Sequence, residues 1–328
     1  MTDLLNSTQA VDAADATQGL TAESLSPTRM AMKRYMHHKG AVFGLVTLSA
    51  MVLFVLLAPI TARYGVNETI FDASPERPNQ FLPPQSLAWM GTDANGRDLY
   101  SRLIFGLRVS LLIGISSAII STLVGVTVGA FAGLRGGLFD DVLMRVTDLF
   151  LAFPYLVLLM LLRAVLDALS WLDPIVGSTS SIRFMIVLFA LTGWMGVARI
   201  MRGQVLALKE REFVEASRAL GASNRRIVVK HLLPNSIGPI LVALTFGVAG
   251  AIVGESTLSF FGFGPQPGAG ATSLGLLVGG SRNALLPGYW WLVVFPAVVL
   301  VLTTLCVNFI GDGMRDATDP KFDMGSGS

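Results

Sequence analysis

The chain has 328 residues, 52% of them hydrophobic and only 14% charged, and its mean hydropathy is +0.63. Soluble domains carry about 25% charged residues to keep their surface wet, so most of this surface must face something other than water. A net charge of +2 argues against nucleic acid as a partner, and a lone cysteine, Cys306, excludes an internal disulfide framework or a cysteine metal cluster.

The N-terminal tail, residues 1–35, starts polar and mildly acidic (Asp3, Asp12, Asp15, Glu23), with no Lys or Arg before Arg29. It lacks the basic start and early apolar stretch of a secretory signal and reads as a disordered cytoplasmic segment. The first membrane helix falls within 36–63, where Gly40 to Ala62 carry no charge. An extracytoplasmic segment, 64–108, follows. Within it Asp93 or Asn95 is placed to cap a short helix running through Leu99, Leu103 and Ile104 into the next span.

Residues 109–311 form the core, with five further spans. Val109 to Leu134, Leu232 to Gly254 and Asn283 to Gly311 are free of charge and long enough to cross a bilayer, which takes about 20 apolar residues. Val142 to Leu162 carries Arg145 and Asp148, and Phe184 to Ala207 carries Arg199 and Arg202. Arg145 and Asp148, at i and i+3, are expected to pair with each other. Pro154 is expected to kink the third span. Gly125, Gly129 and Gly133 recur every four residues on the second span, as do Gly250 and Gly254 on the fifth, a spacing that lets helices approach closely. The outer segment 259–288 is rich in Gly and Pro and reads as an irregular cover near a pathway mouth, with Glu255 at the outer end of the fifth span. Glu255, Asp148 and Arg145 are the candidate pathway or gate residues. Residues 312–328 are expected to form a second cytoplasmic tail, and its last four residues, Gly-Ser-Gly-Ser, read as an appended linker.

With the N-terminus inside, 16 of the 24 Lys and Arg residues lie on the cytoplasmic side, which supports six spans with both termini inside.

The loop 209–234 is the most informative segment. Its first stretch is an amphipathic helix, with Phe213, Ala216 and Leu220 on one face and Lys209, Glu212, Glu215 and Arg218 polar, and the apolar face needs a partner or a membrane surface. Gly221 suits the left-handed position that ends a helix, and Ser223 suits the cap of a second one, Asn224 to Leu233. A helix-turn-helix elbow thus projects between spans four and five.

Glu215-Ala216-Ser217, then Gly221, then Leu233-Pro234 resemble the EAA loop of prokaryotic ATP-binding-cassette importer permeases: Glu-Ala-Ala, three residues, Gly, nine residues, Ile, one residue, Leu-Pro. Ser217 and His231 depart from that pattern. The stretches from Gly91 to Arg102 and from Gly254 to Gly264 resemble the dipeptide and oligopeptide branch, and Gly311 to Pro320 resembles its C-type permeases. The resemblance implies an all-α integral membrane protein with the six-helix type I importer permease fold. It implies that Glu215, Ala216, Ser217, Arg218, Leu220, Gly221, Leu233 and Pro234 couple the chain to an ATPase. The expected partners are a paralogous B-type permease in a heterodimer, two ATP-binding subunits holding ATP and magnesium, and an extracytoplasmic substrate-binding protein, all at a prokaryotic inner membrane and in contact with its lipid. No cofactor is expected in this chain, and it is not expected to be an enzyme.

The absences agree. The sequence has no phosphate-binding Gly-x-x-x-x-Gly-Lys loop and no His-Glu-x-x-His, and none of its histidines, His37, His38 and His231, lies in a charge-free span. The alternatives are an ion-driven secondary transporter, which would call for internal repeats and midplane charges, and an importer of nickel chelates or sugars.

Overall fold

A computed structural model describes residues 27–70, 79–176, 181–265, 272–282, 284 and 286–318. The tail before Pro27, the prolines Pro75 and Pro78, the stretch holding Pro267, Gly268 and Gly270, and the terminal linker lie outside the described residues. Among those described there are no strands, only two isolated bridges, Thr69 with Arg97 and Thr92 with Asp98.

The helices are α1 (Pro27–His37), α2 (Lys39–Leu56), α3 (Ala58–Thr61), α4 (Leu99–Arg135), α5 (Gly137–Ala152) and α6 (Tyr155–Ala168), then a 3₁₀ turn (Ser170–Leu172), α7 (Asp173–Val176) and α8 (Ile182–Leu208). They continue as α9 (Glu212–Ala219), α10 (Asn224–Ile227), a π turn (Val228–Leu232), α11 (Leu233–Phe260), α12 (Leu274–Gly280) and α13 (Trp291–Thr318). Among the described residues, five helices are long and apolar enough to cross a membrane: α2, α4, α8, α13 and the continuous run Asn224–Phe260. A sixth candidate span is the bent pair α5 and α6. Below, the face bearing the elbow 209–234 is the elbow face, and the opposite one is the distal face.

Three expectations are corrected here. The second span is one helix of 37 residues, about 55 Å long at 1.5 Å per residue, and it starts at Leu99. Its cap is Asp98, whose carboxylate accepts the Ser101 N–H at 2.8 Å, rather than Asp93 or Asn95. Asp93 instead ties its own loop: Oδ1 accepts the N–H groups of Asn95 and Arg97, and Oδ2 binds Arg97 and Arg102. The cap falls to Asp98 because it immediately precedes the helical residues, so its side chain reaches the free N–H groups of the first turn.

The third span is broken rather than kinked. α5 and α6 meet at Phe153-Pro154 with a bend of 104°. Pro154 has no N–H to give, and the residue before a proline is driven to extended backbone, here φ −77° and ψ 141° at Phe153. The outer segment 259–288 is not wholly irregular either. It contains α12, capped by Ser273, which accepts the Leu276 N–H. Leu274 and Leu277 bury on Leu103, Leu107 and Ile252, and that apolar gain folds the segment back against α4 and α11.

The bundle is built on the α4–α8 pair. Gly125 and Gly133 face α8 so closely that a Cβ on Gly125 would sit 2.6 Å from the Trp194 carbonyl and one on Gly133 2.8 Å from Val205. The four-residue glycine spacing therefore sets helix packing, as its pattern suggests. On α11, Gly254 packs on Phe189, while Gly250 meets open space. Between α4 and α5, Gly136 and Gly137 both take positive φ, 61° and 62°, a tight reversal that only glycine makes without strain. α1 lies beside the end of α13, and His38 caps α2 while its Nε2 stands 3.5 Å from Asp316.

Candidate functional site

The elbow is formed by α9, the glycine turn and α10. Gly221 has φ +81°, and its N–H and that of Ala222 close onto the Arg218 and Ser217 carbonyls at 2.9 and 3.1 Å. Ser223 then caps α10 through the Arg226 N–H. α10 is not a separate second helix ending at Leu233. It runs through the π turn into α11, so the elbow is one short helix hinged on an extended fifth span. The wide turn accommodates Pro234, which cannot donate to the Lys230 carbonyl. Asn235 compensates nearby, its Nδ2 reaching the His231 carbonyl at 2.6 Å.

Within α9, Glu215, Ala216 and Arg218 are exposed and Ser217 is half-buried, and Leu220, just past its end, is 89% exposed. Phe213 is also exposed, with its ring 6.0 Å from that of His231. The face Phe213, Ala216, Leu220 is thus largely exposed, with only Phe213 set against another ring, that of His231, among the described residues. Leu233 and Pro234 form the first turn of α11. The residue that sequence reasoning missed is Val214. It is fully buried in a cluster with Met201 and Val205 of α8, Ala130 of α4, and Ile227, Leu232 and Ile240 around the start of the fifth span. One apolar residue pointing off the amphipathic face was its only sequence signal. Val214 links the exposed helix to three spans.

Just inside the elbow face, α5 is tied to α8 by ion pairs. Arg202 binds Asp140 with two parallel bonds of 2.6 Å, and Arg199 binds Asp148. The expected Arg145–Asp148 pair is therefore replaced by a cross-helix one. α8 presents Arg199 and Arg202 one turn apart toward α5, so interhelical partners reach the carboxylates, and Arg145 is left exposed.

Glu255 lies elsewhere, near the distal end of α11, and is 0% exposed. Its carboxylate accepts hydroxyl hydrogens from Ser273 (2.6 Å), Ser259 (2.7 Å) and Ser110 (3.2 Å), and the Gly275 N–H also bonds to it. Asp148, Arg145 and Glu255 thus occupy opposite ends of the bundle. No group of three or more His, Cys, Asp or Glu among the described residues could hold a metal.

A helical bundle with five membrane-length helices, a bent sixth candidate and an elbow between two of them among the described residues defines a multi-pass membrane protein. The inward-facing structure of the MetNI methionine ABC transporter (CY5 SeMet soak crystal form) has the same fold, with a TM-score of 0.52 at 21% identity, covering 66% of this chain and 96% of that one. A family model described as "Binding-protein-dependent transport system inner membrane component" matches residues 125–324, and one described as "N-terminal TM domain of oligopeptide transport permease C" matches residues 26–84. The dipeptide transport system permease protein DppC of Bacillus subtilis is 38% identical over 298 residues, covering 91% of this chain and 87% of that protein. The oligopeptide transport system permease protein OppC of the same organism is 38% identical over 95% of both chains. OppC of Haemophilus influenzae is 35% identical over 94% of this chain and 93% of that one. The chain belongs to the family of binding-protein-dependent transport system inner membrane components, and is an ABC transporter permease.

Proposed function

We propose that this chain forms one half of the translocation pathway of an ATP-driven importer of di- or oligopeptides. The observation that carries the reading is the elbow. An apolar face (Phe213, Ala216, Leu220) and a carboxylate (Glu215) point away from the chain, while Val214 anchors the same helix into the cluster shared by α4, α8 and α11. A force applied to that face is delivered to three spans at once. A partner ATPase supplies such a force, and a short docked helix on a fixed-angle turn acts as the lever. The substrate class follows from the relatives named for dipeptides and oligopeptides. In this reading a paralogous permease completes the pathway, two ATPase subunits hold ATP and magnesium at the elbow face, and a binding protein delivers substrate to the distal face. Both termini then lie in the cytoplasm. Arg145 and Asp148 flank the pathway at its inner end, and Glu255 acts at the outer one.

The ion-driven alternative gains nothing from the geometry: Asp148 is paired with Arg199, and Glu255 is enclosed by serine hydroxyls. The test is purification of the chain from its native membrane, followed by reconstitution of whatever assembles with it. ATP-dependent peptide uptake, stimulated by the co-purifying binding protein, is the expected result. Uptake that runs on an ion gradient without any ATPase would overturn the proposal.

A further inference from the structure

α12 is held by hydrogen bonds around Glu255, and a cavity borders it beside Ser259 and Arg102, whose Nη2 reaches Thr272 Oγ1, just before the helix, at 3.4 Å. Ser110 Oγ accepts the Leu274 N–H and Ser273 Oγ accepts the Leu276 N–H, both at 3.1 Å, so each hydroxyl directs its own hydrogen at the Glu255 carboxylate. A carboxylate is an acceptor only, and every group around this one donates. The α12 backbone also lies directly on α11: a Cβ on Gly275 would sit 2.8 Å from Glu255 Oε1, and one on Gly279 2.8 Å from the Ser259 carbonyl. No side chain interlocks the two helices at those positions.

The cavity, of about 710 Å³, is lined by Leu276, Leu277 and Gly280 of α12 and by Arg97, Arg102 and Tyr289. The cavity is partly open to the surface and leaves unfilled space beside this seven-residue helix among the described residues.

We propose that Glu255 is a positioning residue that latches α12 across the distal ends of α4 and α11, and that the cavity is the room α12 enters when the latch releases. The proposal rests on the reading of the chain as an importer permease and identifies its distal gate. α12 joins the fifth span to the sixth, and Ser110 belongs to the second, so releasing one carboxylate frees contacts to two spans together. The apolar part of the α12 packing (Leu274, Leu277) carries no direction, whereas the hydrogen bonds fix one position of the helix.

The experiment uses the assembled transporter with Leu276→Cys in a Cys306→Ala background, and measures modification by a membrane-impermeant maleimide added from the distal side without nucleotide. Glu255→Gln keeps the volume but turns amide hydrogens toward hydroxyl hydrogens. It is expected to raise the labelling rate roughly tenfold, the factor that corresponds to about 1.4 kcal/mol of lost latch. Ser273→Ala should act in the same direction, and Glu255→Asp, which restores the carboxylate, should return the rate toward wild type. Ala284→Phe, filling the cavity from its wall, should suppress the increase caused by Glu255→Gln. An assembled Glu255→Gln complex that labels at the wild-type rate, or an increase that Ala284→Phe leaves intact, overturns the proposal. Should Glu255→Gln fail to assemble, Ser273→Ala decides by the same two outcomes. Peptide uptake measured on the same samples keeps the two readings apart. A wild-type complex that takes up no peptide yet shows this labelling pattern refutes the substrate reading and leaves the latch standing. Normal uptake with unmoved labelling refutes the latch alone.

Discussion

Val214→Ala tests whether the elbow is a lever or a solvated loop. Val214 is the single fully buried residue of α9 among those described, and its neighbours Met201, Val205, Ile227 and Leu232 are each 0% exposed. Truncation deletes two buried methyl groups, about 1.6 kcal/mol at 0.8 kcal/mol per group, and the cavity left behind raises the cost to about 2 kcal/mol. At 1.4 kcal/mol per factor of ten, the undocked population of α9 rises about 25-fold. Trypsin measures this directly, because Arg211 and Arg218 flank the anchor and are exposed. When opening and closing are faster than cleavage, the cleavage rate follows the open population. Val214→Ala should therefore accelerate cutting in this loop by about that factor and reduce substrate-stimulated ATP hydrolysis in the assembled transporter, with insertion unaffected. Unchanged cleavage together with wild-type stimulation would refute the anchoring role and the lever drawn from it.

Gly221→Val places a β-branched residue at φ +81° in open space, so its cost, about 1–2 kcal/mol, is conformational rather than steric, and the misdirected helix should uncouple ATP hydrolysis from uptake in proteoliposomes. Gly125→Leu should lower the melting temperature of the detergent-solubilised chain sharply, since even a Cβ there meets the Trp194 carbonyl at 2.6 Å, while Gly196→Ala, facing open space, should leave it unchanged. Asp140→Asn should destabilise by about 1–2 kcal/mol in denaturant titrations, because Asp140 is buried while Arg202 is one-third exposed, and Asp148→Asn at the exposed pair should cost under about 1 kcal/mol. A cysteine at Ser86, which is exposed, should react only with reagent added to the extracytoplasmic side of sealed vesicles; labelling from the other side would contradict the proposed orientation.

The parts of this protein legible in the sequence are those dictated by local chemistry. Charge-free runs mark membrane spans because an unpaired charge in hydrocarbon is costly, and that signal does not depend on what packs against what. Gly221 and Ser223 could be assigned from backbone preference alone, since a left-handed φ and a side-chain cap are properties of the residue itself. The glycine spacing on the second span indicated close packing, though not that α8 was the partner. What a residue touches across the bundle required the tertiary structure. Asp148 has Arg145 one turn away in sequence, yet α8 brings Arg199 nearer in space. Val214 lies off the amphipathic face and reads as incidental until α8 and the fifth span close over it. Glu255 reads as a carboxylate at the end of a span, where it could as well face water. Only the return of α12, which brings Ser273 and Gly275 from eighteen and twenty residues further on, encloses it, and the burial of Leu274 and Leu277 favours that return.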